Sequence, residues 1–564
     1  MQKNRYKVGG ILAILLAAVM PMHSVVASPA DADTQMQQLL RDRQQAQERQ
    51  QRRESKDVLL QQPIESDKET SLPEERVTFL VHEINLKGKY SETFTWLAKE
   101  ASRYNERKLG KEGLNVIVKR LNNKLMAKGY ITSRVMIPEQ DLSGGRLELT
   151  FIPGTIGEIQ CTVEGKFVEW HTALPFRSGD ILNLRDLEQG LEQLKRVPSQ
   201  DADFQLHPGK NPGESNVVIS VKRTKPWNVV FSMDDSGTKS TGKLQATTTI
   251  GIDNLMGIND LFNISFNRDV EGHRTEFGSD GSSWYWSFPY GYWTYSLSSR
   301  SNTYKQTLPN AGGGFLQYSG TSRTTEIKAE RLVQRDKNSK TSVSLKLLQT
   351  HSRNYMNDTE MDVQRKDTVA LEMGISQRRF CGKDIWDYQV AYRHGMPWFD
   401  AMAESPWADS PTSRYGIWTG EVNWTHPMKW GKTDVKYNMT LHGQYSNSVL
   451  FGVDCISIGN RYTVRGFDGE QTLAAEKGWY MRNELAFSLG KNGQEVYLGL
   501  DGGEVAGPGT VNLPGRQLIG ATLGMRGHVH PGGYMDVFVG WPLKKPDGFT
   551  TENPTFGFQY SYYF

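Results

Sequence analysis

Beyond Pro226 the chain runs for 338 residues (564 minus 226) without a helical period. Segments of about ten residues alternate in polarity between turns of Gly, Asn, Asp and Ser, the pattern of a transmembrane β-barrel. At about 20 residues per strand and connection, the length allows roughly 16 antiparallel strands, an even number as single-chain outer-membrane barrels have. Val435, Tyr437, Met439 and Leu441 alternate with Lys436, Asn438, Thr440 and His442, and Val496, Leu498 and Leu500 alternate with Tyr497, Gly499 and Asp501. At the C-terminus Phe556, Phe558, Tyr560, Tyr562 and Phe564 share one face. A soluble sandwich alternates too, but a lumen ringed by so many strands is too wide for apolar side chains to fill. With the apolar face in lipid, a closed sheet satisfies its backbone and leaves no edge in hydrocarbon. Asp501 then belongs to the polar, lumen-facing side.

Such a barrel must first leave the cytoplasm. Lys3, Arg5 and Lys7 precede an apolar run from Ile11 to Met20, and Val25-Val26-Ala27 stands where signal peptidase cuts, so residues 1–27 read as a cleaved signal peptide. Pro21 stops the run at about half the roughly 20 residues a membrane anchor needs. Apolar residues make up 37% of the chain and mean hydropathy is −0.56, which excludes a multi-span helical membrane protein. Lys and Arg number 66 against 63 Asp and Glu, a net +3 that offers no basic field for nucleic acid. Cys161, Cys381 and Cys455 are too few and too scattered for a disulfide framework; at most one bridge forms.

Between signal and barrel the composition changes three times. Residues 28–56 are rich in Gln, Arg and Glu, good helix formers with no continuous apolar stripe. A helix of this kind fits either solvent or a wet polar cavity. Residues 57–75 mix Gln, Pro, Ser, Asp and Glu as a flexible linker does. Residues 76–154 read as strand signals from Val77 to Leu86, a helix from Glu112 with Leu114, Ile117, Leu121 and Leu125 on one face, and strands around Val135 and Leu149. Residues 155–225 repeat that order: a strand near Ile156 to Val163, a helix capped near Asn183, then strands near Phe204 and Val217 to Val221. Two small α+β modules therefore precede the barrel at 227–564.

No catalytic constellation emerges. Gly237 to Lys243 mimics a phosphate-binding loop but is followed by Leu244 where Ser or Thr is required. His82-Glu83 lacks the second histidine of a zinc-protease helix, no G-x-S-x-G elbow is present, and the 11 histidines show no ligand spacing. No metal and no cofactor are expected. Val464-Arg465-Gly466-Phe467 stands apart, in a long connection between strands ending near Tyr445 and starting near Tyr480.

Taken together, the polar helix, the two tandem modules and a series of short motifs resemble the TpsB family of two-partner secretion transporters over nearly the whole mature chain. The motifs are Arg185-Asp186-Leu187-Glu188-Gln189-Gly190, Asp235 to Gly242, Asp253-Asn254, Pro289-Tyr290-Gly291, the VRGF segment, Arg482-Asn483-Glu484, Gly499-Leu500-Asp501-Gly502-Gly503 and the final Phe564. Gly459-Asn460 departs from the Gly-Gly pair common there. The resemblance implies two periplasmic POTRA (polypeptide-transport-associated) domains, a 16-stranded barrel, and a sixth extracellular loop folded back so that Arg465 meets Asp501. Val464, Arg465, Gly466, Phe467, Gly499, Asp501 and Gly503 would form a transport latch. The pair is worth about 4 kcal/mol of gross Coulomb energy at 4 Å and an effective dielectric of 20, less in a wet lumen. Arg185, Asp186, Leu187 and Gly190 would serve substrate docking. The aromatic face ending at Phe564 would be the assembly signal that the barrel-assembly machinery reads, with periplasmic chaperones in attendance.

These implications describe a monomeric outer-membrane pore, in contact with lipid and lipopolysaccharide, that exports one large exoprotein. With no nucleotide site and no ATP in the periplasm, the driving force is the cargo's own folding outside, and the helix at 28–56 acts as a removable plug. Haemolysin, adhesin and contact-dependent inhibition toxin all fit as cargo, with haemolysin and inhibition toxin slightly favoured. The rival readings are a barrel insertase of the same superfamily, which commonly has more POTRA domains and no polar helix, a passive porin, which needs no large periplasmic region, and an outer-membrane enzyme.

Overall fold

The computed structural model describes residues 29–55, 57–60, 72–164, 169–272, 276–309, 314–407, 409–490, 493–529 and 532–564. The signal-peptide reading at 1–27 lies outside them, as does most of the linker. No described helix is long and apolar enough to cross a membrane.

Among the described residues sixteen long strands, from Trp227–Asp234 to Thr555–Tyr563, pair antiparallel with their neighbours. The last returns to the first over Gln559↔Asp234 to Tyr563↔Val230 and closes the barrel. The period of two sorts the side chains. Ile327, Leu345, Met373, Val390, Leu498 and Leu500 are exposed on the outer face. Their neighbours Lys328, Lys346 and Glu372 turn into the lumen, where Glu372 pairs with Lys346 at 2.9 Å and with Arg393 at 2.7 Å. Trp418 and Trp479 near the loop ends and Trp430 near a turn at the opposite end are also exposed, the two aromatic girdles of an outer-membrane barrel.

Each module before the barrel holds a three-stranded sheet in which the first strand lies parallel to the last and the middle strand in sequence pairs antiparallel. A parallel pair demands a crossover, and the helices supply it. Helix Lys111–Ala127 buries Leu114, Ile117, Leu121 and Leu125 against Leu147, Leu149 and Phe151. Its N-terminus is capped from a distance: the Glu75 carboxylate accepts the Glu112 and Gly113 amides at 2.9 and 2.8 Å, which holds that acid below the usual carboxylate range. Helix Leu184–Lys195 is capped by Asn183, whose side chain accepts the Arg185 amide. All three cysteines are free.

Pro29–Arg53 is a helix of 25 residues, about 37 Å long at 1.5 Å per residue, and it lies inside the barrel. Near its start Gln35 donates to the carbonyls of Gly469 and Glu470 at 2.7 and 2.8 Å; near its end Arg53 donates to Thr440 at 2.8 Å. The helix thus runs from the extracellular loops toward the POTRA end.

Candidate functional site: a loop and a helix locked in the lumen

The connection from 446 to 476, the sixth on the extracellular side, turns back into the barrel. A short hairpin, Ile456–Ile458 paired with Leu473–Ala475, gives it a spine. Its apolar residues need cover in a polar lumen and find it among themselves: Val464, Phe467, Ile458 and Leu473 pack with Tyr480, Val505, Leu518 and Phe549 into a small core. The Phe467 ring meets Phe549 edge to face at 5.6 Å.

That core presents Arg465 to the wall. Its Nε donates to Asp501 Oδ2 at 2.6 Å and Nη2 to Oδ1 at 2.9 Å, while the Arg465 amide donates to the same carboxylate at 3.1 Å. Nη1 reaches Glu484 at 2.7 Å and Nη2 the Asn483 carbonyl at 3.1 Å. Asp501 is 1% exposed and Arg465 4%, so the two charges persist there only because each is bidentate and hydrogen-bonded. The glycines make room. Gly466 has φ +99°, and a Cβ on it would sit 2.6 Å from the Trp541 carbonyl oxygen. On Gly499 a Cβ would stand 2.6 Å from Arg465 Nη2, and on Gly503 2.8 Å from the Trp479 carbonyl oxygen.

The helix is tied to the same loop. Asp42, buried, accepts from Ser457 Oγ at 2.8 Å and from Asn460 Nδ2 at 2.9 Å. Asn460 is the residue that departs from the Gly-Gly pair noted above, and it supplies a direct bond to the helix. Gln38 and Arg41 donate to the Gly452 and Val453 carbonyls, Arg43 pairs with Asp234 at 3.1 Å, and Arg49 donates to Tyr480 Oη at 2.7 Å. These contacts were invisible in sequence because they join residues 191 to 431 positions apart. Glu484 and its neighbours carried a signal only as a family-like tripeptide.

The remaining motifs gather elsewhere. At the POTRA end of the barrel, Asp186 meets the Tyr292 hydroxyl in the turn after Pro289-Tyr290-Gly291. Asp253 accepts the Ser199 amide at 2.8 Å, and Arg196 donates to Ser287 Oγ and the Asn259 carbonyl, both at 2.7 Å. Burial pushes the Asp186 carboxyl up to about 6, and burial beside Asp186 raises the Tyr292 phenol too. The structure places Arg185, Asp186, Leu187 and Gly190, the residues expected to dock substrate, on the helix between the second POTRA sheet and the barrel turns. Leu187 is buried in the second POTRA core, Arg185 is buried on Glu188 at 2.6 Å, and Gly190 abuts Leu174, which a Cβ would meet at 2.7 Å. None of the four is displayed to an incoming chain, because one face of the helix covers its own sheet and the other covers the barrel turns. The five aromatic residues from Phe556 to Phe564 lie on the closing strand and its end, and the Phe564 amide donates to the Val229 carbonyl at 3.0 Å.

A family model described as haemolysin secretion/activation protein ShlB/FhaC/HecB matches residues 213–527, more than half of the chain, and POTRA-domain models match 79–154 (ShlB-type) and 155–208. The chain belongs to the ShlB/FhaC/HecB family. It is 43% identical to the outer membrane transporter CdiB-2 of Burkholderia pseudomallei over 82% of its own length and 79% of the relative's. It is 32% identical to the outer membrane transporter CdiB of Dickeya dadantii over 77% of each. The solved structure of CdiB from Acinetobacter baumannii superposes with a TM-score of 0.85 at 27% identity, covering 96% of this chain and all of that one. The ShlB/FhaC/HecB assignment makes the chain a two-partner secretion transporter of the outer membrane, with its POTRA domains in the periplasm and a cognate exoprotein as partner, and it displaces the insertase reading.

Proposed function

We propose that the protein exports a contact-dependent inhibition exoprotein, captured unfolded by the POTRA domains and passed through the barrel as the helix Pro29–Arg53 withdraws. The observation that carries this reading is the helix itself, held in the lumen by side chains that water can replace. Among its described side chains Met36 is the one fully buried apolar residue, and each hydrogen bond lost costs a net of about 1 kcal/mol when neutral and about 1.5–3 when one partner is charged. A plug with an apolar face would not be releasable in this way. The cargo class rests on the CdiB-named relatives, 43% and 32% identical, against 27% for the haemolysin transporter ShlB of Serratia marcescens.

Capture belongs to exposed sheet edges. The strands Glu83–Lys87 and Thr155–Glu164 stand at the ends of their sheets, where an extended chain adds main-chain bonds without regard to sequence. The latch at Arg465 holds the sixth loop in the resting pore, and the aromatic face ending at Phe564 directs assembly, which involves periplasmic chaperones and the barrel-assembly machinery. Transport uses no nucleotide and no enzymatic step. The test is reconstitution: proteoliposomes holding this chain alone, given its urea-unfolded cognate exoprotein, should accumulate protease-protected cargo without ATP. Dependence on added nucleotide would refute the reading.

A further inference from the structure

Residues 57–60, between the plug helix and the first POTRA domain, lie in a groove between helix Leu184–Lys195 and the barrel. The Leu60 amide donates to Glu188 Oε1 at 2.8 Å and the Val58 amide to Glu192 Oε1 at 3.4 Å, while Arg335 Nη2 donates to the Val58 carbonyl at 2.6 Å. Glu188 and Glu192 stand four apart on the helix, about 6 Å, close to the repeat of about 6.8 Å between alternate residues of an extended strand. The side chains of Val58 and Leu60 both pack on the second POTRA core. Arg335, 2% exposed at its side chain, is held by Glu188 at 3.2 Å, by Glu192 and by Gln189 at 3.0 Å, and Lys340 joins Glu192 and Asp57.

The groove therefore reads backbone through fixed side-chain acids and one guanidinium, and accepts aliphatic side chains at alternate positions. It is not filled by these residues. It opens into a cavity of about 590 Å³ lined by Asp57, Val58, Lys195, Gln200, Asp201 and Lys222. We propose that it is a peptide-binding site which the chain's own segment occupies at rest, and that an extended segment of the exported polypeptide, aliphatic at alternate positions, takes its place. The inference rests on the export reading for the identity of the visitor. Because Asp57 follows the plug helix by only four residues, displacing the segment pulls directly on the plug.

The probe is a fluorescein-labelled peptide of residues 57–64, titrated by anisotropy against the full-length protein in detergent. In the double variant Val58→Asp, Leu60→Asp the resident segment should vacate, so the labelled peptide should bind at least ten-fold more tightly than to the wild type. A labelled peptide carrying the same two aspartates should bind neither protein. Planar-bilayer recordings of the variant should show more frequent full openings, and the milder pair Val58→Ser, Leu60→Ser should fall between. Equal binding curves for variant and wild type, equal binding of the charged peptide, or unchanged conductance would each overturn the proposal. These readouts need no exoprotein, so failed secretion with intact peptide binding would count against the export reading and leave the groove standing.

Discussion

Arg465 is fixed by four side-chain contacts to Asp501, Glu484 and the Asn483 carbonyl, and its removal leaves two acids buried in the wall with one cation fewer. Breaking a buried pair from one side costs about 3–5 kcal/mol, so Arg465→Ala should detach the loop and reduce export by at least roughly ten-fold, with the barrel still inserted. Arg465→Lys should fail too, because one ammonium cannot bridge the fork geometry of Asp501 and Glu484 together. Cargo in the medium, scored against heat-modifiable barrel in the membrane, decides both; normal secretion would remove the latch role. Asn460→Gly deletes a direct bond to Asp42 and should raise pore opening in bilayers without affecting Arg465. Asp186 gives a pH dependence. Burial at the junction lifts its carboxyl from an ordinary 3.8 to about 6, against the opposing hydrogen bond from Tyr292, so the assembled junction favours the protonated form. That contribution is complete below 3.8 and is lost as pH rises through about 6. Limited proteolysis at the junction should therefore proceed faster at about pH 8 than at about pH 5, and Asp186→Asn should flatten the difference.

At the scale of the element, the plug helix and the closing strand behave oppositely. The helix carries its charge all round and is stable in the lumen because the wall answers it residue by residue: Arg43 with Asp234, Arg49 with Tyr480, Arg52 with Gln389 at 2.5 Å. Deleting residues 34–54 should raise single-channel conductance and the entry of antibiotics that the intact pore excludes. Unchanged conductance would count against a plug. The closing strand is held to the first by five register pairs and by the Phe564 amide. Removing Phe564 should lower the amount of assembled barrel rather than its conductance, and membrane fractions separated with and without heating would distinguish the two.

For the whole molecule, the two groups of family-like motifs mark two mechanical joints. One locks loop and helix in the lumen; the other locks the second POTRA domain to the barrel turns through Asp186, Arg196, Arg335 and Asp253. The chain between them runs through residues 57–60. An outer surface made of Ile327, Leu345, Met373 and their neighbours requires detergent once lipid is removed. Purified protein that stays dispersed without detergent, or whose circular dichroism is mainly helical, would contradict the barrel.

Periodicity in the sequence was sufficient for the barrel, its approximate strand number, the inward side of Asp501 and the apolar faces of the POTRA helices, because a repeat of 2 or 3.6 is a local property that burial merely reads out. It also marked the polar helix as unfit for an apolar core. Which residues answer that helix, why Asn460 stands where glycine is common, and where the RDLEQG helix turns its second face were decided only by the tertiary structure. Those outcomes depend on curvature and closure of the sheet, which bring Asp42 to Asn460 across 418 positions and Glu192 to Arg335 across 143. No local pattern encodes such a distance; it appears only when the last strand pairs with the first.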